Sequence, residues 1–196
     1  MSIEGQRARN RRGEGGRLRE EIVTAATALL EETGSEDAIT LRGVARQAGI
    51  AAPSIYAHFA DRDAVVGAVV ARAFAELDAA LAAAVEGVDD PPARLRALCG
   101  AYLAFAEERP HRYRVAFERR RSGPAEARAM EDLSGGQAFG RLVAAVAGAG
   151  SGDSPELDAT VLWVALHGYA VLSAGAPAFP WPARQRMLDR LLARFT

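Results

Sequence analysis

TLRGVARQAGIAAPSIYAHF, running from Thr40 to Phe59, reads as two short helices joined through a glycine. Thr40 is a natural N-cap, since its hydroxyl can accept from a free backbone N–H in the first turn. Leu41, Val44 and Ala45 follow at i, i+3 and i+4 and make one apolar face. Gly49 comes next, where a left-handed turn suits glycine alone without steric cost. Ile50 can plug the space between the helices. Ala52, Pro53 and Ser54 open the second helix, and proline is tolerated in a first turn. Ile55 and Phe59, four apart, point inward, while Pro53, Ser54, Ala57 and His58 point out and Tyr56 sits at the edge. Two such helices, the second with a small polar face, make a helix-turn-helix able to enter a DNA major groove.

With Leu18 to Thr33 before it and Asp61 to Val70 after it, this stretch resembles the N-terminal domain of TetR-family transcriptional regulators. The likeness rests on Thr40, on the turn Ala48-Gly49-Ile50 and on Tyr56-Ala57-His58-Phe59. It covers about the first third of the chain. One residue departs from the pattern: Ala51 stands where the family often has a capping Ser or Thr, a difference of about 1 kcal/mol. The resemblance implies that Arg42, Pro53 and Ser54 reach base edges and that Tyr56, His58, Arg62 and Thr40 meet phosphates. Ala52 belongs to the same DNA-facing set. The chemistry agrees, because arginine can read guanine O6 and N7 with its forked donors.

Composition sets the bounds. The 196 residues suffice for one small and one medium domain. Apolar residues make up 49% and charged residues 25%, as in ordinary globular proteins. A net charge of −1 excludes binding of nucleic acid by the field of the whole molecule, so DNA contact must come from a local patch. All 24 cationic residues are arginine. One cysteine, Cys99, forms no internal disulfide and fits a reducing compartment. The N-terminus lacks the apolar stretch of a signal peptide, and no uninterrupted apolar run reaches membrane-spanning length, so a cytoplasmic protein is expected.

In order, residues 1–16 hold Arg7, Arg9, Arg11 and Arg12 among glycines and read as a disordered basic arm, either lying along phosphates or simply solvated. A helix-turn-helix domain is expected over 17–63 and a helical ligand-binding and dimerisation domain over 64–196. Leu18 to Leu30 have helical spacing and Gly34 closes that helix. Asp61 caps a long helix whose stripe runs through Val65, Val66, Val69, Val70, Ala73, Phe74, Leu77 and Leu81. In the resembled family the corresponding helix carries the ligand signal. Further helices are expected over Ala93–Glu108, His111–Glu118, Ala125–Ala147 with a possible kink at Gly135, Pro155–Ala174 and Ala183–Phe195. Arg119 to Gly123 reads as a solvated basic loop. No strand pattern or internal repeat occurs; the fold class is all-α, with about nine helices.

Tyr102, Phe105, Tyr113, Phe117, Phe139, Trp163 and His167 come from different helices of the second domain. They either line a largely apolar pocket or form plain core. Trp163 and His167 lie one turn apart, followed by Gly168, and resemble a Trp-His-Gly signature in the C-terminal half of one group of these regulators. A helix apolar around most of its circumference, such as 155–174, must be covered on most sides. The resemblance implies that it pairs with its symmetry mate together with 183–195, giving a homodimer suited to a palindromic operator on double-stranded DNA. His58, His111 and His167 are scattered, and no metal, cofactor or catalytic spacing is present. The reading is therefore a non-enzymatic homodimeric repressor released by an unidentified small molecule. The rival reading is a small-molecule or interaction module with weak DNA binding.

Overall fold

The computed structural model describes residues 15–117, 135–150 and 154–195. Most of the expected basic arm, the loop Arg119–Gly123 and the first part of the helix expected from Ala125 lie outside the described residues. Every regular element among the described residues is helical. The α-helices are α1 (Gly15–Thr33), α2 (Leu41–Ala48), α3 (Arg62–Ala84), α4 (Pro91–Glu108), α5 (Pro110–Phe117), α6 (Gly135–Gly148), α7 (Pro155–Gly175) and α8 (Arg184–Leu192). Two 3₁₀ segments, Glu36–Ala38 and Ala52–Ala57, flank α2; the second, here the recognition segment, makes the ninth expected helix. The chain divides into two compact units, Met1–Val69 and Val70–Thr196, and the division falls inside α3.

In the first unit α1 packs on α2. Ile22, Ala26 and Leu30 of α1 are buried with Val44, Ile39, Ile55, Val65 and Val66. Each such aliphatic side chain contributes about 1.5–3 kcal/mol when fully buried. Gly34 ends α1 at φ 68°, and its N–H reaches the Leu30 carbonyl at 2.8 Å. Asp61 caps α3, its Oδ1 accepting from the Ala64 N–H at 2.8 Å.

In the second unit α4 is the centre, packing against α5, α6, α7 and α8. Asp90 caps it by accepting from Ala93 N–H at 2.9 Å, and Pro91 opens it two residues earlier than the sequence spacing indicates. Pro110 likewise opens α5 instead of only ending α4. Proline needs no N–H partner in a first turn, which explains both shifts. The apolar face of α8, with Leu188 and Leu192, is buried. Arg96–Asp189 and Arg184–Glu107, both at 2.7 Å, tie α8 to α4.

In the 21-residue α7, an 18-residue window reaches a mean hydropathy of 1.3, so by length and composition the helix could cross a membrane, although Thr160 and His167 interrupt the apolar run. Nor is it covered: Leu157, Val161, Val164 and Leu172 stand 51–62% exposed. Leu162 and Leu166 point into the core instead. The helix is therefore split between a buried face and an open apolar face.

Candidate functional site

The helix-turn-helix is fixed by backbone hydrogen bonds at each joint. The Thr40 hydroxyl accepts from Gly43 N–H at 3.0 Å. A Cβ on Gly43 would lie 2.9 Å from that hydroxyl oxygen and 3.5 Å from Leu29 Cδ1, so the glycine admits both the cap and the approach of α1. Gly49 takes φ 66° and ψ 34°, and Ile50 N–H returns to the Ala45 carbonyl at 2.9 Å, closing the helix end. Ala51 supplies no side-chain cap, and Pro53 supplies no N–H. The six residues that follow settle into 3₁₀ geometry, with Ser54 N–H on the Ala51 carbonyl and His58 N–H on the Ile55 carbonyl, both at 2.9 Å. Ile55 and Phe59 anchor this segment in the core. Pro53, Tyr56 and Ala57 are exposed, Ala52, Ser54 and His58 half-buried, and Arg42 on α2 exposed.

Two arginines hold this surface in place. Arg19 of α1 lies over the Phe59 ring, 4.8 Å from its centroid. Arg62 donates through Nε to the Ile39 carbonyl at 2.8 Å and through an Nη to the Glu36 carbonyl at 2.7 Å. Glu36, Asp37 and Asp63 stand 3.5–3.8 Å from the same guanidinium. Arg62 thus ties the start of α3 to the loop ahead of α2, and its donors serve the protein backbone.

The second unit holds a compact aromatic cluster with a polar centre. Tyr102 of α4, Tyr113 of α5 and His167 of α7 form a triangle. Tyr113 Oη lies 2.7 Å from His167 Nδ1, Tyr102 Oη 2.9 Å from Tyr113 Oη, and Tyr102 Oη 3.4 Å from Nδ1. Phe117 packs against both tyrosines and against His167, with centroids 4.7–6.1 Å apart. Trp163 contacts His167 and Phe139 at 6.0 and 6.1 Å. Phe74 of α3 meets Phe117 edge-on at 5.2 Å. Burial pushes the Tyr102 phenol up to about 12, against the opposing effect of its hydrogen bond with Tyr113. Burial likewise pushes the Cys99 thiol up to about 12, which keeps it protonated and unreactive.

Beside the cluster, ion pairs grip α3. Glu76 is held by Arg112 and, at 3.3 Å, by Arg109, while Asp78 is held by Arg141 of α6 at 2.6 Å.

Comparison with known proteins gives a family at both ends of the chain. The model for bacterial regulatory proteins of the tetR family matches residues 22–69. The model for the tetracyclin repressor-like C-terminal domain matches residues 95–195, more than half the chain. The chain belongs to the TetR family. Among solved structures, a protein of unknown function from Rhodococcus sp. RHA1 is 27% identical, with a TM-score of 0.77 over 99% of this chain and 97% of that one. A TetR-family transcription regulator from Shewanella sp. PV-4 shares the fold at 17% identity, with a TM-score of 0.63 over 90% of this chain and 95% of its own. So does FadR from Bacillus subtilis, solved in complex with stearoyl-CoA, at 11% identity and a TM-score of 0.73 over 90% and 96%. No curated protein sequence matches this one.

As a TetR-family protein, the chain is a DNA-binding transcriptional regulator. Of the residues singled out in the second unit, the structure joins Tyr102, Tyr113, Phe117, Phe139, Trp163 and His167 in one chain of contacts. Phe105 stands apart: it is buried with the Arg109 guanidinium over its ring at 5.6 Å, and no ring contact joins it to the cluster. The sequence reading missed two things. The first is Gly43, whose signal was a glycine in the first turn of a short helix. The second is the Tyr–Tyr–His triangle, whose members are up to 65 residues apart.

Proposed function

We propose that this TetR-family regulator is a homodimeric repressor that binds a palindromic operator and leaves it when a small molecule occupies the second unit. The observation that carries the DNA reading is the recognition segment, anchored by Ile55 and Phe59 and turning Pro53 and Tyr56 to solvent. Arg42, Ala52, Pro53 and Ser54 form its base-facing side, and Thr40, Tyr56 and His58 its phosphate-facing side. Arg62 supports these from below through the Ile39 and Glu36 carbonyls.

Dimerisation is supported by the open apolar face of α7. Four large aliphatic side chains in one stripe favour a second copy as cover, with α8 alongside offering its arginine-rich face. Such a dimer works in the cytoplasm and sets two recognition segments about 34–36 Å apart, one helical turn of DNA. The ligand reading is supported by the aromatic cluster, and α3, which runs on from the recognition segment into the second unit's core, is the element through which occupancy is felt.

Replacing Arg42 with Ala tests the base contact. Fluorescence anisotropy with DNA from upstream of the gene, at fixed salt, should show specific affinity reduced about 10–100-fold, the loss of a contact of 1–3 kcal/mol. Unchanged specific binding with an intact dimer contradicts the assignment.

A further inference from the structure

The 3₁₀ winding of the recognition segment decides which side chains it turns outward. With roughly three residues per turn, positions three apart share one line. Ala52, Ile55 and His58 make the inner line: Ile55 is buried and the other two are half-buried beside it. The outer lines are Pro53 with Tyr56, and Ser54 with Ala57. Pro53, Tyr56 and Ala57 are exposed and Ser54 is half-buried. Between Gly49 and Ala60 the sequence has no arginine, lysine, asparagine or glutamine. The segment therefore lacks the side chains that grip guanine or adenine with paired hydrogen bonds. The Ser54 hydroxyl both donates and accepts, so alone it does not select a base. What the outer lines present is mostly carbon: the Pro53 ring, the Ala57 methyl and, beside them, the ring of Tyr56, which is 62% exposed.

In the major groove thymine alone presents a methyl group, at C5. The polar forks that flank the segment in sequence lie on α2 and at the start of α3. Arg62 is occupied by the Ile39 and Glu36 carbonyls, and the Gln47 amide donates to Glu32 at 3.3 Å. That leaves Arg42 and Arg46, both exposed on α2, and Arg42 stands in the first turn beside the Thr40 cap. We infer that the recognition segment reads thymine through its methyl group, with Pro53 and Ala57 as the contacting residues, while base selection by hydrogen bonds comes from Arg42 on α2. This rests on the reading of the segment as the DNA-facing one, and it adds Ala57 to the residues that meet bases. The contact carries no charge. Its loss should therefore leave the salt dependence of binding unchanged, whereas loss of a phosphate contact would reduce it.

The test starts from duplexes that the full-length protein selects out of a random-sequence pool at fixed salt. In a selected duplex each thymine is replaced singly by deoxyuridine, which removes the methyl and keeps the pairing. The expected result is a loss of about fourfold for each thymine under the segment, the worth of one methyl taken out of water, with the same salt slope as before. Changing such a T·A pair to C·G should cost more than changing it to 5-methylcytosine·G, which restores the methyl. Ala57→Gly and Pro53→Gly should each abolish the deoxyuridine loss at one thymine. Thermal unfolding checks that these variants fold, and the deoxyuridine series on the unaltered protein tests the idea without them. If deoxyuridine is tolerated throughout a selected site, the methyl reading is wrong while the DNA-facing assignment stands. If the loss persists in both variants, other residues read the methyl and the assignment to Pro53 and Ala57 is wrong. If no sequence is enriched from the pool, the methyl reading and the DNA-facing assignment fail together.

Discussion

The two units organise polar chemistry in opposite ways. In the first, the caps and the turn of the site are made by contacts short in sequence, Thr40 to Gly43, Gly49 to Arg46 and Ser54 to Ala51, and Arg19 and Arg62 add the longer ties. They are also mostly backbone contacts, and they leave the recognition side chains facing solvent. In the second, the central contacts are between side chains 54 and 65 residues apart, buried among rings. A surface that must meet a stiff duplex is held by local scaffolding. The buried aromatic cluster is assembled from distant helices. The open face of α7 is a third case, neither locally fixed nor enclosed.

The largest effect is expected on that face. Val164→Asp places a charge in the middle of the exposed stripe and should convert the dimer to monomers in sedimentation velocity. Operator affinity should fall by at least about 100-fold, because two half-sites no longer bind as one. A dimer that survives this change would place the interface elsewhere.

Arg62→Ala comes next. It removes two charge-assisted hydrogen bonds to the Ile39 and Glu36 carbonyls and should cost about 2–3 kcal/mol in urea unfolding of the first unit. A loss of DNA affinity without loss of stability would instead make Arg62 a phosphate contact, as the family resemblance suggests.

Within the scaffold, Thr40→Ala should cost about 1 kcal/mol for the lost cap. Gly43→Ala should cost a comparable amount, because its methyl meets the Thr40 hydroxyl. The double variant should cost less than the sum, since both act on one contact. Gly168→Ala makes the contrast: nothing lies within 4 Å of its added Cβ, so the isolated subunit should be no less stable. Any penalty there would have to come from the dimer.

The smallest effect is at high pH. Tyr102 in the folded chain titrates near 12, above its ordinary value of 10.0. The unfolded chain therefore releases this proton first. The resulting stability is fully present below about pH 10 and is lost as pH rises through about 12. Tyr102→Phe should reduce the pH dependence of thermal unfolding between those values; an unchanged profile would place the phenol in water.

How far the sequence could be read follows the same division. Thr40, Gly49, Ile55 and Asp61 each act on neighbours within a few residues, so spacing alone assigned them, and the structure agrees. The 3₁₀ form of the recognition segment was not legible, because it follows from two absences acting together, the cap at Ala51 and the N–H at Pro53. Ile50, placed in the core by hydrophobicity, is only half-buried, since the turn that Gly49 makes lifts it outward. In the second unit the aromatic residues were legible as a set, but not the triangle. Helical periodicity says which face a side chain occupies, not which phenol meets which imidazole across three helices. Phe105 shows the limit: it shares a helix and burial with Tyr102, yet joins none of the cluster's rings.

The central claim is that two heads of one dimer read two half-sites together. It is tested most directly by measuring affinity for the natural operator and for a version with five base pairs inserted between its halves. The account predicts strong binding to the first, and to the second a loss of at least about 100-fold, since the insertion turns one half-site to the opposite side of the duplex. Equal affinity for both would contradict it.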